Sequence, residues 1–143
     1  ETVTDPTPAD IAEIAEKCWK NVETTDATLV TAVDKTVYAD ESRLMQLFEN
    51  LSGNAVEHGG SEVTVTVGNL NDGFYVEDDG RGIPNNEYDD VFTPGYSSSE
   101  DGTGFGLSIV KQVVAAHGWE IRLTESATGG VRFEITGVDS VTA

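Results

Sequence analysis

Residues 78–84 read DDGRGIP and residues 102–107 read GTGFGL, and these two glycine-rich segments flank a long stretch with little helix or strand character. Glycine allows a backbone to approach a ligand closely at low steric cost. The second segment runs directly into a helical pattern, so its free N–H groups and the positive end of the helix dipole favour an anion. Together the segments predict a polyphosphate site. Its candidate residues are Gly80, Gly82, Gly102, Thr103, Gly104, Phe105, Gly106 and Leu107.

The stretch between these segments is predicted to be a lid. Residues 80–104 contain seven glycines or prolines and the polar run SSSED at 97–101, which indicates a loop with at most one short helix near residues 87–92. A loop of this length inside a compact domain usually serves a function. A lone glycine pattern would indicate only caps and turns, but two sets on either side of one loop favour a ligand site.

Three helices are predicted outside the lid. The first is expected to start at Thr7, with Pro8 at its first helical position, and its apolar spacing continues to about residue 20. Asp40 is expected to cap the second helix, which Gly59 and the next glycine end. The third spans residues 107–117.

Strands are predicted where β-branched residues cluster or alternate with polar ones. Residues 28–33 and 36–39 are expected to form a hairpin around Asp34 and Lys35. Further strands are expected from residue 62 to 67, at 74–77, at 119–125 and at 131–136. The pattern predicts an α+β fold, a two-layer sandwich in which three helices pack on one face of a mixed, mostly antiparallel sheet.

Polar residues form a stripe along the predicted second helix. Asn50, Asn54 and His58 recur at i, i+4 and i+8 beside its apolar face. Asparagine has middling helix propensity, so two of them at the edge of a core face need a reason. An amide oxygen is a suitable Mg²⁺ ligand where phosphate and water complete the shell. The alternative is that both amides simply lie on the helix surface and that His58 interacts with the helix dipole.

Asp78 stands where a predicted strand ends and a glycine turn begins. Its carboxylate is therefore a candidate acceptor for an exocyclic amine, a contact that contributes roughly 1.5–3 kcal/mol when the acceptor is charged. The alternative is an ordinary turn aspartate.

In this order, the segments resemble the catalytic ATP-binding domain of sensor histidine kinases, a member of the superfamily that includes DNA gyrase, the Hsp90 chaperones and the MutL repair proteins. The sequence NLSGNA at 50–55 is similar to the family's asparagine box and residues 78–84 to its first glycine box. Residues 91–96 are similar to the phenylalanine box and residues 102–107 to the second glycine box. The resemblance spans nearly the whole chain and implies a Bergerat-type fold with an ATP lid.

The resemblance also implies a role for each residue. Asn54 would hold Mg²⁺ and Asn50 would assist near the phosphates, as the catalytic pair, while Asp78 would bind the adenine amine. Gly82 and Ile83 would line the base pocket, residues 102–107 would cradle the triphosphate, and His58 falls where the family often has a polar or basic residue. The activity implied is transfer of the γ-phosphate of Mg-ATP to a histidine on a separate helical dimerisation domain, which in turn serves a response regulator.

Some features depart from the family pattern. No lysine or arginine lies between Arg81 and Lys111, so the basic lid contact to the γ-phosphate that some members use is not evident in the sequence. Val131 occupies a place where many relatives carry threonine or serine near the adenine aspartate. Neither His58 nor His117 has the context of a phosphoacceptor. An anti-sigma-factor-type serine kinase and a degenerate nucleotide-sensing module therefore stay open as alternatives.

Composition sets the remaining limits. The 143 residues suit one domain, with residues 1–6 as a linker or frayed end, and the single Cys18 excludes an internal disulfide or a cysteine zinc cluster. No apolar run is long enough to span a membrane and no secretory signal is present, so we expect a cytoplasmic domain, or the cytoplasmic part of an anchored kinase, without direct membrane contact.

The net charge of the chain is strongly negative. The 26 acidic and 8 basic residues give a formal charge of −18, and the acids are spread along the whole sequence. Such a surface repels nucleic acid and anionic membranes. It also strains the folded state unless salt screens the repulsion, which indicates a halophilic protein.

Overall fold

The computed structural model describes residues 6–20, 26–59, 62–80, 106–126 and 129–139, and only the backbone at 57–59 and 106. Seven strands and three helices lie within those ranges. They are β1 (Thr7–Asp10), α1 (Ile11–Trp19), β2 (Thr28–Ala32), β3 (Thr36–Ala39), α2 (Glu41–Gly59), β4 (Thr64–Leu70), β5 (Gly73–Asp78), α3 (Gly106–Ala116), β6 (Glu120–Glu125) and β7 (Val131–Thr136).

The main sheet has five strands in the order β2-β4-β5-β7-β6. Strand β2 runs parallel to β4, and the other neighbouring pairs are antiparallel. Alternate residues of β7, namely Val131, Phe133 and Ile135, are buried, as the period of a strand with one covered face requires. The helices cover that face, with α1 against β2, α2 against β5 and α3 against β6. The predicted α+β sandwich is confirmed.

Aromatic side chains join the central helix to the sheet. The rings of Phe48 on α2 and Phe74 on β5 lie 5.6 Å apart, and Phe74 makes an edge contact with Trp119 at 6.2 Å between centroids. Both phenylalanines are fully buried. This packing holds α2 against the sheet near the start of β5.

The predicted start of the first helix is wrong. Residues 7–10 form β1, which pairs antiparallel with β3 from Thr7 opposite Ala39 to Asp10 opposite Thr36. Asp10 is the N-cap of α1, and its carboxylate accepts from the backbone N–H of Glu13 at 3.1 Å. Pro8 favours a helix start, but the pairing of β1 with β3 determines the structure here, and no local sequence pattern predicts this long-range pairing.

The predicted hairpin between residues 28–33 and 36–39 is also wrong. Strand β2 belongs to the main sheet, whereas β3 forms a two-stranded sheet with β1 in the described part of the chain, so β2 and β3 lie in different sheets. The linker between them is held against the β4–β5 turn, where the Lys35 ammonium donates to the carbonyls of Leu70 at 2.6 Å and Gly73 at 2.9 Å. Residues 33–35 do separate the two strands, but they have no turn conformation and lead from one sheet to the other.

The predicted cap of the second helix is confirmed. The Asp40 carboxylate accepts from the backbone N–H of Arg43 at 3.2 Å. The backbone N–H of Asp40 donates to Nε2 of His117 at 3.0 Å, and Nδ1 of that ring lies 2.8 Å from the carbonyl of Val113. Because Nε2 accepts, Nδ1 carries the proton, and the neutral imidazole links the end of α3 to the start of α2.

Cys18 is buried in the contact between α1 and α2, as predicted. Its thiol donates to the carbonyl of Met45 at 3.2 Å. Burial, with a smaller contribution from the charge of Glu49, raises the pKa of Cys18 to about 11. The side chain therefore stays a thiol at neutral pH and serves packing. Among the described helices, none is long and apolar enough to cross a membrane.

Candidate nucleotide-binding site

Asp78 is the last residue of β5 and is one of four buried polar residues in the described chain. Its side-chain Oδ1 accepts two backbone N–H bonds, from Gly80 at 2.9 Å and from Val131 at 3.3 Å. Among the described residues, these are the donors to the carboxylate, and both bond the same oxygen. Oδ2 is therefore left to accept from another group.

The environment of Asp78 disfavours its charged form. Burial raises the pKa of this carboxyl above its ordinary value, and the nearby charges of Asp79 and Glu77 add to the rise. The N–H bonds from Gly80 and Val131 act in the opposite direction without cancelling the burial effect. A buried carboxylate of this kind gains much from a donor that reaches it, and perturbed pKa values cluster at functional sites.

A tight turn before β7 closes over Asp78. The Ser126 hydroxyl donates to the backbone carbonyl of Asp78 at 2.9 Å and accepts from the backbone N–H of Gly130 at the same distance. The Ser126 N–H in turn donates to the Gly130 carbonyl at 2.9 Å, and Gly129 has a φ of 92°, a conformation that favours glycine. The turn therefore holds both the main chain and the side chain of Asp78.

The neighbouring Asp79 is fixed from the other side of β5. Its Oδ1 accepts from the backbone N–H of Thr64 at 2.7 Å, and its own N–H donates to the Thr64 carbonyl at 3.3 Å. The β4 side thus holds Asp79 while the β7 side holds Asp78. The start of the first glycine-rich segment is anchored as far as Gly80.

Asn50 and Asn54 lie one turn apart on α2, and both are half-buried. The Asn50 amide donates through Nδ2 to the carbonyl of Gln46 at 2.7 Å, which orients the amide and leaves its Oδ1 as an acceptor. The described residues contain no cluster of three or more histidine, cysteine or acidic ligands. Amide oxygens completed by phosphate and water are the donor set that suits Mg²⁺, so the two asparagines fit this ion.

The structure places only part of the sequence-predicted site. Gly80 and Asp78 lie together at the end of β5, while Asn50 and Asn54 lie on α2, which packs against that strand. Leu107 is in the first turn of α3 with its side chain in the core. Outside the described residues lie the His58 side chain, Gly82, Ile83, Gly102, Thr103, Gly104, Phe105 and the lid. Gly106 begins α3.

Sequence reasoning missed the contribution of the turn at 126–131. The sequence marks Val131 only as a departure from the threonine or serine of many relatives, which puts a hydrogen bond near Asp78 in doubt. In the structure this position reaches Asp78 Oδ1 through its backbone N–H, while the Val131 side chain is buried in the core. The available signal was the pair Gly129-Gly130 immediately before a strand, since paired glycines mark a turn or a close backbone approach.

Comparison with known proteins defines the class. Residues 39–139 match the family described as histidine kinase-, DNA gyrase B-, and HSP90-like ATPase. The match covers well over half of the chain, and the chain belongs to this family.

Individual relatives narrow the class. The chain is 34% identical over 106 residues to the sensor histidine kinase ZraS of Salmonella typhi, which covers 71% of the chain and 23% of that protein. It is 34% identical over 135 residues to the signal transduction histidine-protein kinase AfsQ2 of Streptomyces coelicolor, which covers 88% of the chain and 25% of that protein. The chain therefore spans about a quarter of the length of these relatives.

Solved structures agree with the sequence relatives. The mycobacterial sensor histidine kinase MprB superposes with a TM-score of 0.83 at 27% identity, covering 96% of this chain and 100% of that one. The ATP-binding domain of PrrB from Mycobacterium tuberculosis gives a TM-score of 0.74 at 25% identity, covering 97% and 100%. The fold is that of the catalytic domain of a sensor histidine kinase.

Proposed function

We propose that this chain binds Mg-ATP and that residues 1–143 form the single catalytic domain of a sensor histidine kinase. The observation that supports this best is the carboxylate of Asp78, which is buried, held through one oxygen by two backbone N–H groups and left with the other oxygen as an acceptor. Such an acceptor fits the exocyclic amine of adenine. The family to which the chain belongs supports the same ligand.

The chain's own residues divide the work of binding. Asp78 accepts from the adenine amine, and Gly82 and Ile83 line the base pocket. Asn50 and Asn54 present amide oxygens toward the phosphates, with Asn54 as the Mg²⁺ ligand and His58 as a further polar contact. Residues 102–107 supply backbone N–H groups at the start of α3. Mg²⁺, when bound, neutralises part of the triphosphate charge.

The acceptor of the phosphate lies outside this chain in our proposal. Both ring nitrogens of His117 are occupied, one by the N–H of Asp40 and the other by the carbonyl of Val113, so neither is available as a nucleophile. We infer that the γ-phosphate is transferred to a histidine of a helical dimerisation domain of the same kinase, and from there to a response regulator. Phosphoryl transfer depends mainly on positioning and electrostatic stabilisation, which this domain provides. The proposal implies a cytoplasmic location, where ATP is available.

Calorimetric titration of Mg-ATP and Mg-ADP into the domain at high salt tests nucleotide binding. We expect micromolar to millimolar dissociation constants for the wild type. Asn54→Ala is expected to lose about tenfold in Mg-ATP affinity, equivalent to about 1.4 kcal/mol, because it removes the proposed metal ligand. Its affinity measured with Mg²⁺ should approach the affinity measured in the presence of a chelator.

Asn69→Ala is the matched control, because Asn69 lies on the exposed end of β4, where its amide donates to Asp34 at 2.9 Å. This variant should bind as the wild type does. Absence of binding in folded wild-type protein would reject the proposed function. Binding followed by no phosphorylation of an added dimerisation domain would instead favour the nucleotide-sensing alternative.

We also propose that the domain is adapted to high salt. At a formal charge of −18 the folded surface repels itself, and raising the salt concentration from 0.1 M to 1 M shortens the Debye length from about 10 Å to about 3 Å. The midpoint of thermal unfolding is therefore expected to rise steadily between 0.1 M and 2 M KCl, as followed by circular dichroism. A neutral osmolyte at the same osmolality is the control. A domain equally stable in millimolar salt would contradict the adaptation.

A further inference from the structure

We propose that Ser126 is a positioning residue. By holding the main chain of Asp78, it makes the site prefer a nucleotide that carries the adenine amine over one that lacks it. The inference rests on the proposed function, since it concerns how the adenine acceptor is oriented. Ser126 lies 48 positions along the chain from Asp78, is buried, and donates through its hydroxyl to the Asp78 carbonyl. Its hydroxyl is therefore placed to act through Asp78.

The Ser126 hydroxyl makes a hydrogen bond to Asp78 at the point where the pairing of β5 with β7 has ended. The pairing of β5 with β7 ends at Glu77 opposite Arg132, one residue before Asp78. On the β4 side, Asp78 is still paired, opposite Val65. The carbonyl of Asp78 is held on the β7 side by the hydroxyl of Ser126 at 2.9 Å. The serine thus extends the hold of β7 to the residue that carries the carboxylate.

The same hydroxyl also fixes the turn that supplies a donor to the carboxylate. It accepts from the N–H of Gly130 at 2.9 Å, and the next residue, Val131, donates to Oδ1 of Asp78 at 3.3 Å. One side chain therefore locks both the main chain of Asp78 and one of the two backbone N–H groups that hold its Oδ1, that of Val131. Loss of the hydroxyl leaves the Gly80 N–H as the firm donor to Oδ1, and the carboxylate can turn about this single bond, so Oδ2 is no longer presented to the base in one orientation.

A test must separate positioning from general stability. A nucleotide that lacks the amine makes no hydrogen bond to Asp78 Oδ2. If Ser126 positions Asp78, its loss should weaken the binding of a nucleotide with the amine and spare one without it. If Ser126 serves only general stability, both nucleotides should be affected equally. Mg-ATP and the magnesium complex of purine riboside triphosphate, which carries hydrogen in place of the amine, form the matched pair of ligands. Calorimetric titration of both into the wild type and Ser126→Ala gives the ratio of their affinities.

We expect Ser126→Ala to bind Mg-ATP about five- to thirtyfold more weakly, the effect of losing one or two hydrogen bonds, and to bind the purine analogue within about twofold of the wild type. Thr136→Ala, which removes a hydroxyl from the far end of β7, should leave both affinities unchanged. Ser126→Cys keeps a weak donor in a similar volume. Its ratio of Mg-ATP affinity to analogue affinity should lie between those of the wild type and Ser126→Ala. It supplies the same readout if the alanine variant does not fold.

Equal weakening of both nucleotides, or an unchanged ratio in both Ser126 variants, would overturn the positioning role. Failure of the wild type to bind either nucleotide would instead reject the proposed nucleotide site, and the inference with it. A smaller ratio of Mg-ATP affinity to purine analogue affinity than in the wild type, with an intact fold, supports the inference.

Discussion

Asp78→Asn is expected to weaken Mg-ATP binding by about 10- to 150-fold, equivalent to roughly 1.5–3 kcal/mol, while the domain stays folded. Both backbone N–H donors, from Gly80 and Val131, bond Oδ1, and the amide oxygen of asparagine can keep these bonds. The amide nitrogen then replaces Oδ2 and presents a donor to the donor amine of adenine. The measurement is calorimetric titration of Mg-ATP into each variant at the same salt concentration.

Asp79→Asn is the matched control for this substitution. It makes the same change of charge and shape one residue away, and its amide oxygen can still accept from the Thr64 N–H that Asp79 binds at 2.7 Å. We expect its Mg-ATP affinity to stay within about twofold of the wild type. Equal affinities of the Asp78 and Asp79 variants would remove Asp78 from the adenine site.

The stability of the Asp78→Asn variant should change in the opposite direction from its affinity. Because burial raises the pKa of Asp78 in the folded state, the folded protein holds this proton more tightly than the unfolded chain does. The stability contributed by the protonated carboxyl is complete below the ordinary pKa of aspartate and is lost as the pH rises through the raised pKa. At neutral pH the wild type therefore bears the cost of a buried charge.

The asparagine variant lacks this cost because it carries no charge at position 78. We expect its free energy of unfolding at neutral pH to equal or exceed that of the wild type, and the difference between the two to shrink as the pH falls below the raised pKa. Urea unfolding at a series of pH values measures this difference. A variant that is less stable than the wild type at neutral pH would show that Asp78 serves the fold more than the site.

The parts of the fold that the sequence predicted are those controlled by neighbours along the chain. Asp40 marks the start of α2 because a short acidic side chain satisfies free N–H groups of the first turn. The alternating valines of β4 likewise record one buried face. The pairing of β1 with β3 left no local trace, since Thr7 and Ala39 are 32 positions apart and the proline beside Thr7 favours a helix start equally well.

In the candidate site, too, the local features could be predicted from the sequence and the long-range contacts could not. The position of Asp78 could be predicted because a strand and a glycine turn meet there in the sequence. One contact that holds it is local, from the N–H of Gly80, whereas the others come from Ser126 and Val131, which the chain brings back only through the order of strands β5 and β7. Their role depends on close contact between the backbone before β7 and Asp78 at the end of β5. No spacing of residues along the sequence predicts such a contact. The paired glycines before β7 mark a turn, but its contact with Asp78 becomes visible only once the sheet is assembled.

Gly130→Ala is expected to destabilise the domain by about 1–3 kcal/mol, the usual cost of overpacking, and to remove most of its Mg-ATP affinity. A Cβ at this position would lie 2.2 Å from the backbone oxygen of Asp78 and 2.6 Å from its Oδ1. Both distances are far below van der Waals contact, and the nearer atom is main chain, so the turn must move away from β5. That movement breaks the Ser126 and Val131 contacts to Asp78 together.

Gly53→Ala is the matched control for Gly130→Ala, because a Cβ at Gly53 would have no heavy atom within 4 Å. Gly53 lies inside α2, where alanine is favoured over glycine by about 1 kcal/mol, so this variant should be at least as stable as the wild type. Both substitutions restrict the unfolded chain in the same way, so their difference in urea unfolding reports the crowding at Asp78. If Gly130→Ala matches Gly53→Ala in stability and binds Mg-ATP normally, the close approach of the turn to Asp78 is not needed for the site.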